Sequence, residues 1–131
     1  MVSKVLAVSA VVLTAISGCE SQEVPVTAAA DKGEVSVPGV RLTWAREGEV
    51  LSYRMLYEAP NACYSAGPQT AAFTAPLVTL AAEVTFADGI CAQAITVVPF
   101  EGEVTGVTGP FTIAATVTDQ KSGEVVTLTA P

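Results

Sequence analysis

The sequence contains no histidine and only three cysteines in 131 residues. Without histidine there is no Ser-His-Asp triad, no Cys-His dyad and no imidazole-ligated zinc or copper site. Charged residues make up 15% of the chain and aromatic residues 6%, too little charge for the Leu/Lys/Glu-rich pattern of a helical bundle. Basic residues are scarcer still, 6 against 13 acidic ones, and such a surface repels nucleic acid and anionic lipid headgroups. No Gly-rich phosphate-cradling loop occurs, nor the alternating acids of an EF-hand. The sequence therefore offers no cofactor motif and no metal-ligand set. The one long apolar stretch, Val5 to Ile16, is 12 residues, or about 18 Å of helix against the ~30 Å bilayer core. It is too short for a permanent span.

What is present is apolar and β-forming. Half of the residues are hydrophobic, with 10 Gly and 8 Pro as punctuation, which suits one small β-rich domain rather than a disordered chain.

Residues 1–18 have the three regions of a secretory signal peptide: a basic residue (Lys4), the apolar run, and small residues before Cys19. The ending Ile16-Ser17-Gly18-Cys19 resembles the lipobox of bacterial lipoproteins. That resemblance implies a diacylglycerol on the Cys19 sulfur, cleavage just before it, and acylation of the new amine, two or three chains being enough for stable anchoring. It also implies a periplasm-facing domain. Glu20 is not the aspartate that favours inner-membrane retention in enteric bacteria, so the outer membrane is the expected anchor, with the inner membrane as the alternative. Cleavage leaves five basic residues against 13 acidic ones, a net charge of −8.

Assigning Cys19 to lipid leaves Cys63 and Cys91 as an even pair in an oxidising compartment, which predicts a disulfide. No Cys-x-x-Cys spacing or neighbouring base points to redox chemistry. Residues 19–38 form the lipidated cysteine and a small, acidic, flexible linker, whose 19 residues after Cys19 would span about 25 Å as a coil. Residues 39–131 form the folded domain.

From Gly39 the hydrophobic period is two. Val40, Leu42 and Trp44 share one face, and after a Glu47-Gly48-Glu49 turn Leu51, Tyr53, Met55 and Tyr57 share another. These are core residues, with Trp44 expected near the disulfide. Ala59 to Pro76 reads mostly as a crossing loop, with a short edge strand at Ala71 to Thr74. Val78 to Phe86 alternates cleanly, and Ile90 to Val98 reads as a central strand stopped by Pro99. Glu101 to Thr108, Phe111 to Val117 and Val126 to Leu128 complete the pattern. About seven short strands without a helix predict an all-β, antiparallel, immunoglobulin-like sandwich with one disulfide, a small β-barrel being the alternative. The order of elements over residues 61–118 resembles small exported bacterial β-sandwich domains with no settled function, and that resemblance transfers no catalytic residue.

Candidate chemistry is thin. Glu47/Glu49 and Glu101/Glu103 place carboxylates at i and i+2, as a glycosidase or a calcium site would use, but both pairs flank glycines at turns. Tyr64, beside Cys63, is expected at the surface as a contact residue or a cover over the disulfide, with Asn61 as its companion in a binding loop. The expected function is a non-enzymatic binding or structural role with an envelope protein partner. The alternatives are an envelope glycan hydrolase using Glu101 with Glu103, or Glu83 with Asp88, and a protease inhibitor presenting Asn61 to Pro68.

Overall fold

A computed structural model describes residues 29–131, and the leader, Cys19 and most of the linker lie outside the described residues. Eight strands follow in order: β1 (Lys32–Val37), β2 (Val40–Glu47), β3 (Val50–Ala59), β4 (Tyr64–Thr74), β5 (Leu77–Phe86), β6 (Thr96–Val104), β7 (Thr112–Asp119) and β8 (Val125–Ala130). They form two four-stranded sheets, β1-β2-β3-β6 and β4-β5-β7-β8. The fold is an all-β sandwich, not a closed barrel.

Alternation decides which side chain goes inside. Leu42, Trp44, Leu51, Tyr53 and Met55 from the first sheet meet Val78, Leu80, Val84, Ile113, Val117 and Leu128 from the second, all buried. Every strand pair is antiparallel except β5 with β7, which run parallel. That pairing follows from connectivity: between β5 and β7 the chain crosses to the first sheet, forms β6, and returns.

Several expectations change. Residues 32–37, assigned to the linker, form β1, because Val35 and Val37 pack half-buried against the core while Glu34 and Ser36 face out. The segment assigned to a crossing loop is mostly β4, an 11-residue edge strand. Its glycine and Pro68 are absorbed by a bulge in which Gly67 and Pro68 oppose Glu83 alone, and a Cβ on Gly67 would fall 2.8 Å from the Glu83 carbonyl oxygen. The apolar run Ile90 to Val98 is not a central strand. Pairing starts only at Thr96, and Ile90 and Ile95 are exposed. Pro99 does not end β6 but sits within it, opposite Leu56, which an edge strand tolerates because its outer N–H has no ladder to join, so the strand expected at Glu101 to Thr108 is the second half of β6 and stops at Val104.

Trp44 is buried as expected but is far from the disulfide. It pairs with Tyr53, six residues along β3 from Ala59, or about 20 Å. Its ring is accommodated by a glycine instead. The cross-strand row Gly33–Trp44–Tyr53–Gly102 carries two large rings flanked by residues without side chains. A Cβ on Gly33 would lie 2.6 Å from Trp44 Cζ2, and one on Gly102 2.6 Å from Tyr53 Oη. Gly102→Ala is therefore expected to destabilise the domain by about 1 to 3 kcal/mol through overpacking, read as a lower urea midpoint with an unchanged slope.

Candidate functional site

The strands place the connections at two poles. At one pole the chain enters the sandwich: Ala29 N–H donates to the Phe111 carbonyl (2.7 Å), Trp44 Nε1 to the Ala30 carbonyl (2.9 Å), and Asp31 pairs with Arg46 (2.7 Å). At the other lie the β3–β4 and β5–β6 connections, joined by the Cys63–Cys91 disulfide with Cα atoms 5.3 Å apart. The ten residues of β3 separate the poles by about 30 Å.

The disulfide closes the base of a small projection. Ala87 N–H donates to the Cys63 carbonyl (3.0 Å) and Ala62 N–H to the Ala92 carbonyl (3.1 Å), while the Cys63–Cys91 bond lies between these two ties. Asp88, Gly89 and Ile90 are thus held out from the domain on a clamped base. Ile90 is fully exposed and Ile95 is 72% exposed. This apolar projection is the feature that sequence reading missed, having assigned Ile90 to a strand interior. The signal available was the Asp88-Gly89 turn pair immediately before it.

The residues singled out for binding have structural partners nearby. Asn61 Oδ1 accepts the Cys63 N–H (3.0 Å), an Asx turn that shapes the approach to the disulfide. Tyr64 is the first residue of β4, half-buried, with its ring edge-on to Phe86 at 5.0 Å. The segment Asn61 to Pro68 therefore runs from a turn into a paired strand, and the projecting loop of this pole is 87–95 instead.

Beneath the projection sits Asp119, the buried carboxylate among the described residues. Its Oδ1 accepts the backbone N–H groups of Lys121 (2.8 Å) and Ser122 (3.3 Å), and its Oδ2 accepts the Tyr57 hydroxyl (3.3 Å). The carboxylate thereby fixes the β7–β8 turn. Burial, and then the Asp119 charge and hydrogen bond, push the Tyr57 phenol up to about 12. Tyr53 is raised by burial, and Tyr64 by burial and by Asp119. Because the folded state holds the Tyr57 proton more tightly than the unfolded chain, where the pKa is 10.0, its contribution is complete below pH 10 and is lost as pH rises toward 12. Urea midpoints are expected to fall across that window, and Tyr57→Phe to flatten the fall.

The carboxylates are spread over the surface. Glu101 pairs with Arg54 at 3.0 Å, both exposed. Glu103 lies two residues on, exposed on the same outer face, and the two line an open depression of about 730 Å³ with Lys32, Thr43, Ser52 and Arg54. Glu83 is exposed and accepts the Gln120 amide, while Asp88 is exposed with Lys121 Nζ at 3.9 Å. Glu47 and Glu49 are exposed at the β2–β3 turn. None of these six carboxylates is buried, as a general acid working at neutral pH would need. Among the described residues no group of three His, Cys, Asp or Glu side chains is placed to hold a metal ion, and no helix is long and apolar enough to cross a membrane. Comparison with protein-family models, curated proteins and solved structures finds no match.

Proposed function

We propose that this chain is a lipid-anchored domain of the bacterial cell envelope, held through Cys19 and facing the periplasm, which binds or supports a protein partner without catalysis. The outer membrane is the favoured anchor on the residue after Cys19. The observation that carries the reading is the polarity of the domain. The chain enters at the Ala29 pole, and the clamped Asp88-Gly89-Ile90 projection stands at the opposite one. An anchored domain of this form holds its exposed isoleucine away from its own membrane. An apolar side chain on a pre-ordered base is what a protein interface uses as an anchor, because less backbone entropy remains to be lost on binding.

Site-specific photo-cross-linking in intact cells tests this reading. A photoreactive residue at position 90 is expected to give discrete higher-mass adducts, and one at Thr116, in the middle of the second sheet, to give none. Equal labelling from both positions, or none from position 90, contradicts it.

A further inference from the structure

Two adjacent rows of side chains cross the outer face of the first sheet. One runs Glu34–Thr43–Arg54–Glu101, and its charges are satisfied within the chain: Arg54 pairs with Glu101, and Glu34 with Arg41. The other runs Lys32–Ala45–Ser52–Glu103. Among the described residues Arg41, Arg46, Arg54 and Lys121 each pair with a carboxylate, and Lys32 is the basic residue that does not. Glu103 has no basic partner among them either. Both ends of this row are exposed, and both line the open depression of about 730 Å³, a volume within the range of small-ligand sites. Ala45 and Ser52 between them are short, so the floor is low where the ends stand tall.

We propose that this depression binds a di- or tripeptide with free termini, its carboxylate at Lys32 and its ammonium at Glu103. Span selects the length. Lys32 and Glu103 lie on the two outermost strands of the sheet, three strand spacings or about 14 Å apart, with side chains standing perpendicular to it. A charge-assisted hydrogen bond of about 3 Å at each end leaves roughly 8 Å for the ligand. That falls between an extended dipeptide, about 7 Å long, and a tripeptide, about 10 Å. A free amino acid carries both charges on one Cα and reaches only one end. Along the span the Thr43 and Ser52 hydroxyls offer hydrogen bonds to a peptide group, and Ala45 gives an uncharged floor.

Charge selects the class of ligand. The net charge of −7 repels anions at long range, which leaves cations and zwitterions. A simple cation gains nothing from Lys32 and meets equally exposed carboxylates at Glu47, Glu49 and Glu58. Only a ligand that carries both signs, separated by this span, uses both ends of the row, and it has no net charge for the field to oppose. Lys32 follows closely on Ala29 at the chain-entry pole, so the site is separate from the Ile90 projection and does not depend on it.

The test uses the purified full-length chain and synthetic trialanine. Trp44 is the single tryptophan of the sequence and lines the depression, so its emission reports occupancy, with the backbone amide shifts of Ala45 and Ser52 as a second readout. Trialanine is expected to bind saturably and to weaken with added salt. Free alanine should bind at least about threefold more weakly, because it reaches one end only. Lys32→Gln should weaken trialanine by about threefold and leave trialanine amide unchanged, while Glu103→Gln should weaken trialanine equally and leave N-acetyl-trialanine unchanged. Each variant removes a contact that the blocked peptide already lacks. Both residues are exposed, so neither change disturbs the core. No saturable response in either readout, equal affinity for alanine and trialanine, or a Lys32→Gln loss as large for the amide as for the free peptide overturns the proposal.

Discussion

Replacing Cys63 and Cys91 together by alanine is expected to lower the unfolding free energy by about 3 to 4 kcal/mol, a large share of the ~5 to 15 kcal/mol of a small domain. The bond joins residues 28 apart in sequence, so its loss frees a long loop in the unfolded chain. The folded core should survive, because the disulfide lies beyond the ends of β3 and β5 and not between the sheets. The projection would feel the change locally. With the covalent tie gone, only the Ala87–Cys63 and Ala62–Ala92 hydrogen bonds hold its base. Hydrogen exchange at residues 88–91 should rise well before exchange at Leu42, Met55 or Leu80. The check is a urea titration of the double variant, with circular dichroism to confirm retained strand. A variant as stable as the parent would mean that the bond closes nothing the fold does not already hold.

Arg46→Ala is expected to cost about 2 to 4 kcal/mol, an effect of core size from a residue that sequence reading left unremarked. The guanidinium lies at the chain-entry pole with a side-chain exposure of 16%. It donates to Asp31 Oδ1 (2.7 and 3.2 Å), to the Gly109 carbonyl (2.6 Å) and to the Val107 carbonyl (3.3 Å), and it lies 4.7 Å from the centre of the Phe111 ring. One side chain thus ties the segment before β1, the end of β2 and the β6–β7 connection. Val107 and Phe111 are fully buried, so removing the guanidinium exposes the edge of the core as well as orphaning carbonyls. Arg46→Lys should recover less than half of the loss, because an ammonium cannot fork to three oxygens or lie flat on the ring. Thermal melts of the two variants beside Asp31→Ala, which removes only an exposed acceptor, would rank the contributions.

Strands with one wet face were legible because alternation is a direct consequence of the pleat: Val40 to Trp44, Leu51 to Tyr57, Val78 to Val84 and Phe111 to Val117 all point as their sequence says. The cysteine pairing was legible from the even count left once Cys19 is set aside, and the bond is present. Two segments misled for a common reason, namely that composition carries no record of neighbours. Ile90 to Val98 is apolar enough for a buried strand, yet the clamp at Cys63 draws its first half out of the sheet. Gly67 and Pro68 look like loop residues, yet an edge strand can absorb them in a bulge. β1 was hidden because its inward residues, Gly33, Val35 and Val37, are small and one is glycine, which makes room for the ring of Trp44. The candidate site was legible only in part. Asn61 and Tyr64 do lie at the disulfide pole, but the projecting residue there is Ile90. The role of Asp119 depends on Tyr57, which is 62 positions away in sequence.

The proposal of an anchored, disulfide-stapled domain is tested most directly by the intact mass of the protein extracted from cell membranes, measured after alkylation with and without reductant. The predicted result is a chain beginning at Cys19 with the added mass of a diacylglyceryl group and an amide-linked acyl chain, unalkylated until reduction and then alkylated twice, at Cys63 and Cys91. A chain beginning at any other residue, or one that retains an alkylatable thiol at position 19, would contradict the proposal.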